Sequence, residues 1–108
     1  MNFNANGNEP NLYAIVSGKT LTNNGFGILV IPESLNNGLL YKNTVKGNAF
    51  GILLAPANYV QVVGNTVKGN SEIDCADFNP IGEFTLWHAN AGNTQNQDGL
   101  CDGAVTLP

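Results

Sequence analysis

Few side chains in this chain could do chemistry, and most of them sit in its last third. Residues 71–108 carry Glu72, Asp74, Asp77, Glu83, Asp98 and Asp102 with no basic residue, a balance of −6. Residues 1–70 carry four lysines against Glu9 and Glu33, a balance of +2. Carboxylate oxygens gathered at one end are the ligands that calcium takes; a solvated polar cap is the competing reading. Glycoside chemistry asks for two carboxylates facing one bond, and only Asp74 and Asp77 approach that, at a spacing that makes no assigned pair. His88 is the single histidine and stands with two distant cysteines, too few ligands for a zinc site. A Cys–His nucleophilic pair has no motif behind it, and the Gly-x-Ser-x-Gly elbow, the phosphate loop and the dinucleotide fingerprint are all missing. No catalytic residue, metal set or cofactor is therefore assigned, with calcium the sole candidate ion. Trp87, Asp74 and Asp77 stand as candidate binding residues of the acidic end. Cys75 and Cys101 are an even pair in a low-charge chain, which suits one disulfide and an exporting compartment. Such a bridge would enclose 25 residues and contribute about 3 kcal/mol. Two reduced, buried thiols are the alternative.

The elements that must position these groups are announced by a repeat. Asn43-Thr44-Val45-Lys46-Gly47-Asn48 returns as Asn65-Thr66-Val67-Lys68-Gly69-Asn70, a step of 22. Residues 19–30 match residues 43–54 at a step of 24, through Thr20/Thr44, Leu21/Val45, Asn24/Asn48, Phe26/Phe50, Gly27/Gly51 and Ile28/Ile52. A fourth copy is read at Ser71-Glu72-Ile73-Asp74-Cys75, with Ile73 and Cys75 replacing Ile52 and Leu54. Units of this length, holding short β-forming runs between Gly, Asn and Pro turns, are too short for βαβ units and lack a helical period. A parallel β-solenoid remains, each repeat one coil, with coils stacked about 4.8 Å apart.

Alternation then assigns the faces. Phe26, Ile28 and Val30 point inward below Phe50, Ile52 and Leu54, joined by Val45 and Val67. Leu29, Leu53 and Ile31 point outward as a flat apolar ledge, a candidate contact with a second copy. Asn24, Asn48 and Asn70 form one amide ladder and Asn43 and Asn65 another, with Asn taking left-handed turn conformations. The expected division is a single domain: residues 1–11 a lead-in or cover, 12–76 the coils, and 77–108 an irregular cap. In that cap Phe84, Leu86 and Trp87 close the core and Cys101 returns to Cys75.

Composition sets further bounds. The chain is 43% apolar and 11% charged, with 18 asparagines and no arginine, enough apolar content for one core. A net charge of −4 argues against nucleic acid and anionic membranes as partners. No apolar run approaches spanning length, and no signal peptide is read at the N-terminus.

Asn-Thr-Val-x-Gly-Asn-x-x-Gly-Ile-x-Leu, at residues 43–54, resembles the coil of the right-handed parallel β-helix superfamily. That group includes pectate lyases, polysaccharide epimerases and secreted repeat proteins of unknown role. The likeness spans about residues 12–76, and Trp87-His88-Ala89-Asn90 with Gly99-Leu100-Cys101 resembles the closing segment of bacterial secreted members. The resemblance implies an all-β, right-handed, single-stranded parallel β-helix of about four coils of 22–24 residues. It does not carry an activity over, because the basic residue beside calcium-binding aspartates that the lyases use has no counterpart here. The expected function is a non-catalytic, secreted or surface-associated module with a structural or polysaccharide-contacting role. The alternatives are a C-terminal piece of a polysaccharide lyase, hydrolase or epimerase, and a homo-oligomeric assembly protein.

Overall fold

Glycine and asparagine corners turn this chain at short intervals, and the runs between them stack rather than fold back. The computed structural model describes residues 1–3, 12–32, 35–56, 58–80 and 84–108. After β1 (Asn2–Phe3), a first turn holds β2 (Leu12–Ser17), β3 (Thr20–Leu21) and β4 (Phe26–Val30). The second holds β5 (Leu35–Tyr41), β6 (Thr44–Val45) and β7 (Phe50–Leu54), and the third β8 (Val60–Val63), β9 (Thr66–Val67) and β10 (Ile73–Asp77). A contracted fourth pass holds β11 (Thr85–His88), β12 (Ala91–Gly92) and β13 (Thr94–Gln95), followed by β14 (Val105–Thr106). Every pairing among the described residues is parallel. The first sheet runs β1-β4-β7-β10-β13-β14, the second β11-β8-β5-β2 and the third β12-β9-β6-β3. This is an all-β parallel β-solenoid with three complete turns, where the repeat led us to expect about four.

The register explains the difference. In the second sheet Ala14 faces Gly38, Gly38 faces Val60 and Val60 faces Thr85, steps of 24, 22 and 25. In the first sheet the steps shrink, with Cys75 facing Gln95 and Gln95 facing Thr106. Between the third and first sheets the third turn spends residues 67 to 75, whereas the pass above it goes from Gly92 to Gln95. The corner has been cut out. Residues 77–108, expected to be irregular, thus continue all three sheets in shortened form.

Two sequence expectations about this region are corrected. Ile73 lies over Phe50 and Cys75 over Ile52, not over Ile52 and Leu54, and Asp77 takes the place above Leu54. The chain is one residue longer at this corner than at the one below, so the copy slides by two. Leu86 pairs with Gln61 and is 55% exposed, so it does not close the core; Thr85 and Trp87, on either side, face inward.

Aliphatic columns fill the interior: Val16, Leu40 and Val62 from the second sheet, Val45 and Val67 from the third, and Ile28, Val30, Ile52 and Leu54 from the first. All nine are at most 4% exposed, and burying a side chain of this size is worth about 1.5–3 kcal/mol. Phe26 and Phe50 are only half-buried and stack at the corner, ring centres 4.9 Å apart. The ladder asparagines are not the left-handed residues. The residue before each is: Asn23, Gly47 and Gly69 before Asn24, Asn48 and Asn70, and Lys42, Gly64 and Ala89 before Asn43, Asn65 and Asn90, all at positive φ. That bend swings Asn43, Asn48, Asn65, Asn70 and Asn90 inward, where their amides reach the neighbouring coils, while Asn24 at the lower end stays exposed.

Candidate functional site

Each ladder amide works in one direction. Asn43 donates its backbone N–H and Nδ2 to Oδ1 of Asn65, at 2.9 Å each, and Asn65 donates in the same way to Asn90. Their Nδ2 groups also reach back to Val16 O and Leu40 O. Asn90, absent from the repeat as read, is the top rung. In the other ladder Asn24 donates its N–H to Asn48, and Asn48 donates N–H and Nδ2 to Asn70. A third corner is tied by Asn58 and Asn79, whose Nδ2 groups donate to Ile31 O and Ala55 O respectively. Every one of these amides is explained by holding turns together.

The two aspartates singled out for binding finish that scaffold. Asp74 is 2% exposed; its Oδ1 accepts from Asn70 N–H and Nδ2, at 3.0 and 2.9 Å. Its Oδ2 accepts from the backbone N–H groups of Asn93 and Thr94. The carboxylate occupies the place of the next ladder asparagine, which the shortened pass has lost. Asp77 is fully buried, and its Oδ1 accepts from Asn79 N–H and Nδ2, both at 2.8 Å. Its Oδ2 accepts from the Thr85 hydroxyl and, at 2.8 Å, from the Trp87 indole N–H. Trp87 is half-buried against the core. The carboxylates of Asp74 and Asp77 and the indole N–H of Trp87 are therefore engaged inside the fold. Four donors per carboxylate, several of them backbone N–H groups, offset the cost of burial without a cation.

Cys75 and Cys101 are bonded, their Cα atoms 6.5 Å apart. His88, paired with Val63, is exposed. Among the described residues no group of three or more His, Cys, Asp or Glu side chains could hold a metal ion. Leu29 and Leu53 keep the outward positions of the expected ledge. Leu29 lies between Asn2 and Leu53, and Leu53 between Leu29 and Ala76, so each is covered above and below and half-buried.

Exposed apolar side chains gather on the outer face of the second sheet, with Phe78 and Val105 exposed apart from it. Ile15, Leu39, Gln61 and Leu86 are in register there, with Ile15 74% and Leu86 55% exposed. Tyr59, 49% exposed, meets Phe84 edge to face with centroids 5.2 Å apart. Two shallow depressions share Asn37, Gly38 and Gln61 and so form one trough, from Ile15 at one end to Phe84 and Leu86 at the other. Sequence reasoning missed this trough. The alternation Val60-Gln61-Val62 was a usable signal for its middle, but the outward column shares no residue type from coil to coil.

No protein-family model, curated protein or solved structure matches the chain.

Proposed function

We propose that this chain is a non-catalytic parallel β-helix module, related to the secreted repeat proteins that its coil motif resembles, which serves as a scaffold and contacts a polysaccharide. The observation that carries the reading is the trough on the second sheet. It combines an exposed ring, Tyr59, and aliphatic walls with two exposed amides, Asn37 and Gln61. Apolar walls with a few convergent polar groups are what a ligand groove needs, and a sugar offers C–H faces to the ring and hydroxyls to the amides. The internal engagement of Asp74 and Asp77 supports a non-catalytic role, since neither carboxylate is placed to take or give a proton at a substrate. The disulfide suits an oxidising, extracellular setting. A glycan array followed by titration of the best neutral glycan is the test. Tyr59→Ala and Gln61→Ala, both at exposed positions, are expected to weaken binding about tenfold with unchanged circular dichroism. A blank array, or binding indifferent to both substitutions, would remove the carbohydrate role and leave the structural one.

A further inference from the structure

The third sheet presents a different surface, and its charge is not that of the rest of the molecule. All four basic side chains of the chain border this two-residue-wide sheet. Lys19 leads into β3 and Lys42 into β6 at one corner; Lys46 follows β6 and Lys68 follows β9 at the other. Lys46 and Lys68 are equivalent positions on successive coils, their N–H groups donating to Leu21 O and Val45 O at 3.2 Å each. Their Cα atoms are thus about one coil apart, roughly 4.8 Å. Both are exposed and line one open concavity with the side chains of Thr22, Thr44, Thr66 and Asn93. Gly47 and Gly69, at positive φ beside the lysines, leave two of the three equivalent corner positions without a side chain, and Asn23 fills the third. Of the exposed acids among the described residues, Glu72 lies on the corner toward the first sheet and Asp98 on the top pass, while Asp102 bridges Ala91 and so stands at the upper end of the third sheet itself, beyond β12. Two like charges are held a coil apart beside a column of threonines, in a protein whose net charge is −4.

We infer that this lysine–threonine shelf is a docking surface for a linear sulfated polysaccharide, running along the solenoid axis with successive sulfates at Lys46 and Lys68. The partner must carry repeated negative charge to match a charge repeated by the coil. The chain has no arginine, so the shelf does not grip its anion through a two-pronged fork and meets it with point charges instead. Lysine acts as a point charge and suits a monoanionic ester whose remaining oxygens accept from threonine hydroxyls. The shelf lies on a different sheet from the trough, so this inference does not rest on the neutral-glycan reading.

The experiment is calorimetric titration with dextran sulfate at low ionic strength, beside uncharged dextran and a polyuronate of matched charge density. Dextran sulfate is expected to bind, with affinity falling linearly in log–log form as salt rises. Lys46→Gln with Lys68→Gln should weaken that binding about tenfold. Tyr59→Ala should leave it unchanged. Both lysines are exposed, and a matching melting curve verifies that the double variant is folded. Absence of dextran sulfate binding, equal binding by the lysine variant, or polyuronate binding as tight as dextran sulfate would each overturn the proposal.

Discussion

At the scale of single residues, the acidic end shows how an apparent functional cluster can be an answer to a hydrogen-bonding problem. A ladder of asparagines passes donors upward, so its last member must accept without needing to donate further. Asp74 is that member. An aspartate at a turn looks the same in sequence whether it holds calcium or ends a ladder, and only the loss of the next corner distinguishes the two. The consequence is testable against intuition, because the ladder's own residue should be the wrong one here. Asp74→Asn would still offer Oδ1 to Asn70, but its Nδ2 would face the N–H groups of Asn93 and Thr94, which now donate to Oδ2. Two part-buried donors would lose their acceptor, and stability should fall by about 1–2 kcal/mol. Urea unfolding measures this; a variant as stable as the parent would show that the carboxylate is not the ladder's terminus.

At the scale of elements, close approach at the corners dictates which residues can be glycine alone. Gly27 and Gly51 are followed in the stack by Asp74, at the bend leading into the first sheet. A Cβ on Gly51 would sit 2.3 Å from Asp74 O, 2.5 Å from Val67 Cγ1 and 2.9 Å from Asn70 Nδ2. A backbone oxygen and two packed side chains cannot all withdraw. Gly51→Ala should therefore destabilise by about 3 kcal/mol, while Gly25→Ala, at an exposed turn with nothing within 4 Å, should be close to neutral. Thermal melts of the pair compare them directly, and equal midpoints would refute the packing of this corner. The same corners account for what could be read in advance. Steps of 24 and 22 were legible because stacked positions in these coils demand the same residue types: asparagine on a ladder, glycine at a close approach, an aliphatic in the core. The step of 25 was not, since Ala89-Asn90-Ala91-Gly92 keeps one letter of Gly64-Asn65-Thr66-Val67. The trough was illegible for a related reason: Ile15, Leu39, Gln61 and Leu86 face solvent, where the stack imposes no common identity.

At the scale of the whole molecule, a solenoid has the problem of its ends, because each coil is stabilised by its neighbours and a terminal coil offers strand edges to any other chain. At the upper end the tail answers this for the first sheet. β13 covers β10, β14 covers β13, and Gln95 binds the loop between them, accepting from the N–H groups of Leu100 and Cys101 and donating to Thr106. These strands are two residues long, too short to hold themselves down. The disulfide from Cys75 beneath to Cys101 above, both at most 5% exposed, supplies the fastening. Replacing both cysteines by serine should lower stability by about 3 kcal/mol. The loss should also be local. In native-state hydrogen exchange, the amides of Asn96, Val105 and Leu107, which bond across these last strands, should lose protection while those of Phe50 and Thr66 in the coils keep theirs. Freed of its cover, the edge of β10 becomes a template for a second copy, so light scattering of the serine variant should show mass rising with concentration where the parent's does not. If protection and mass both stay at parent values, the hydrogen bonds of Gln95 hold the cap, and the disulfide acts only on the unfolded chain.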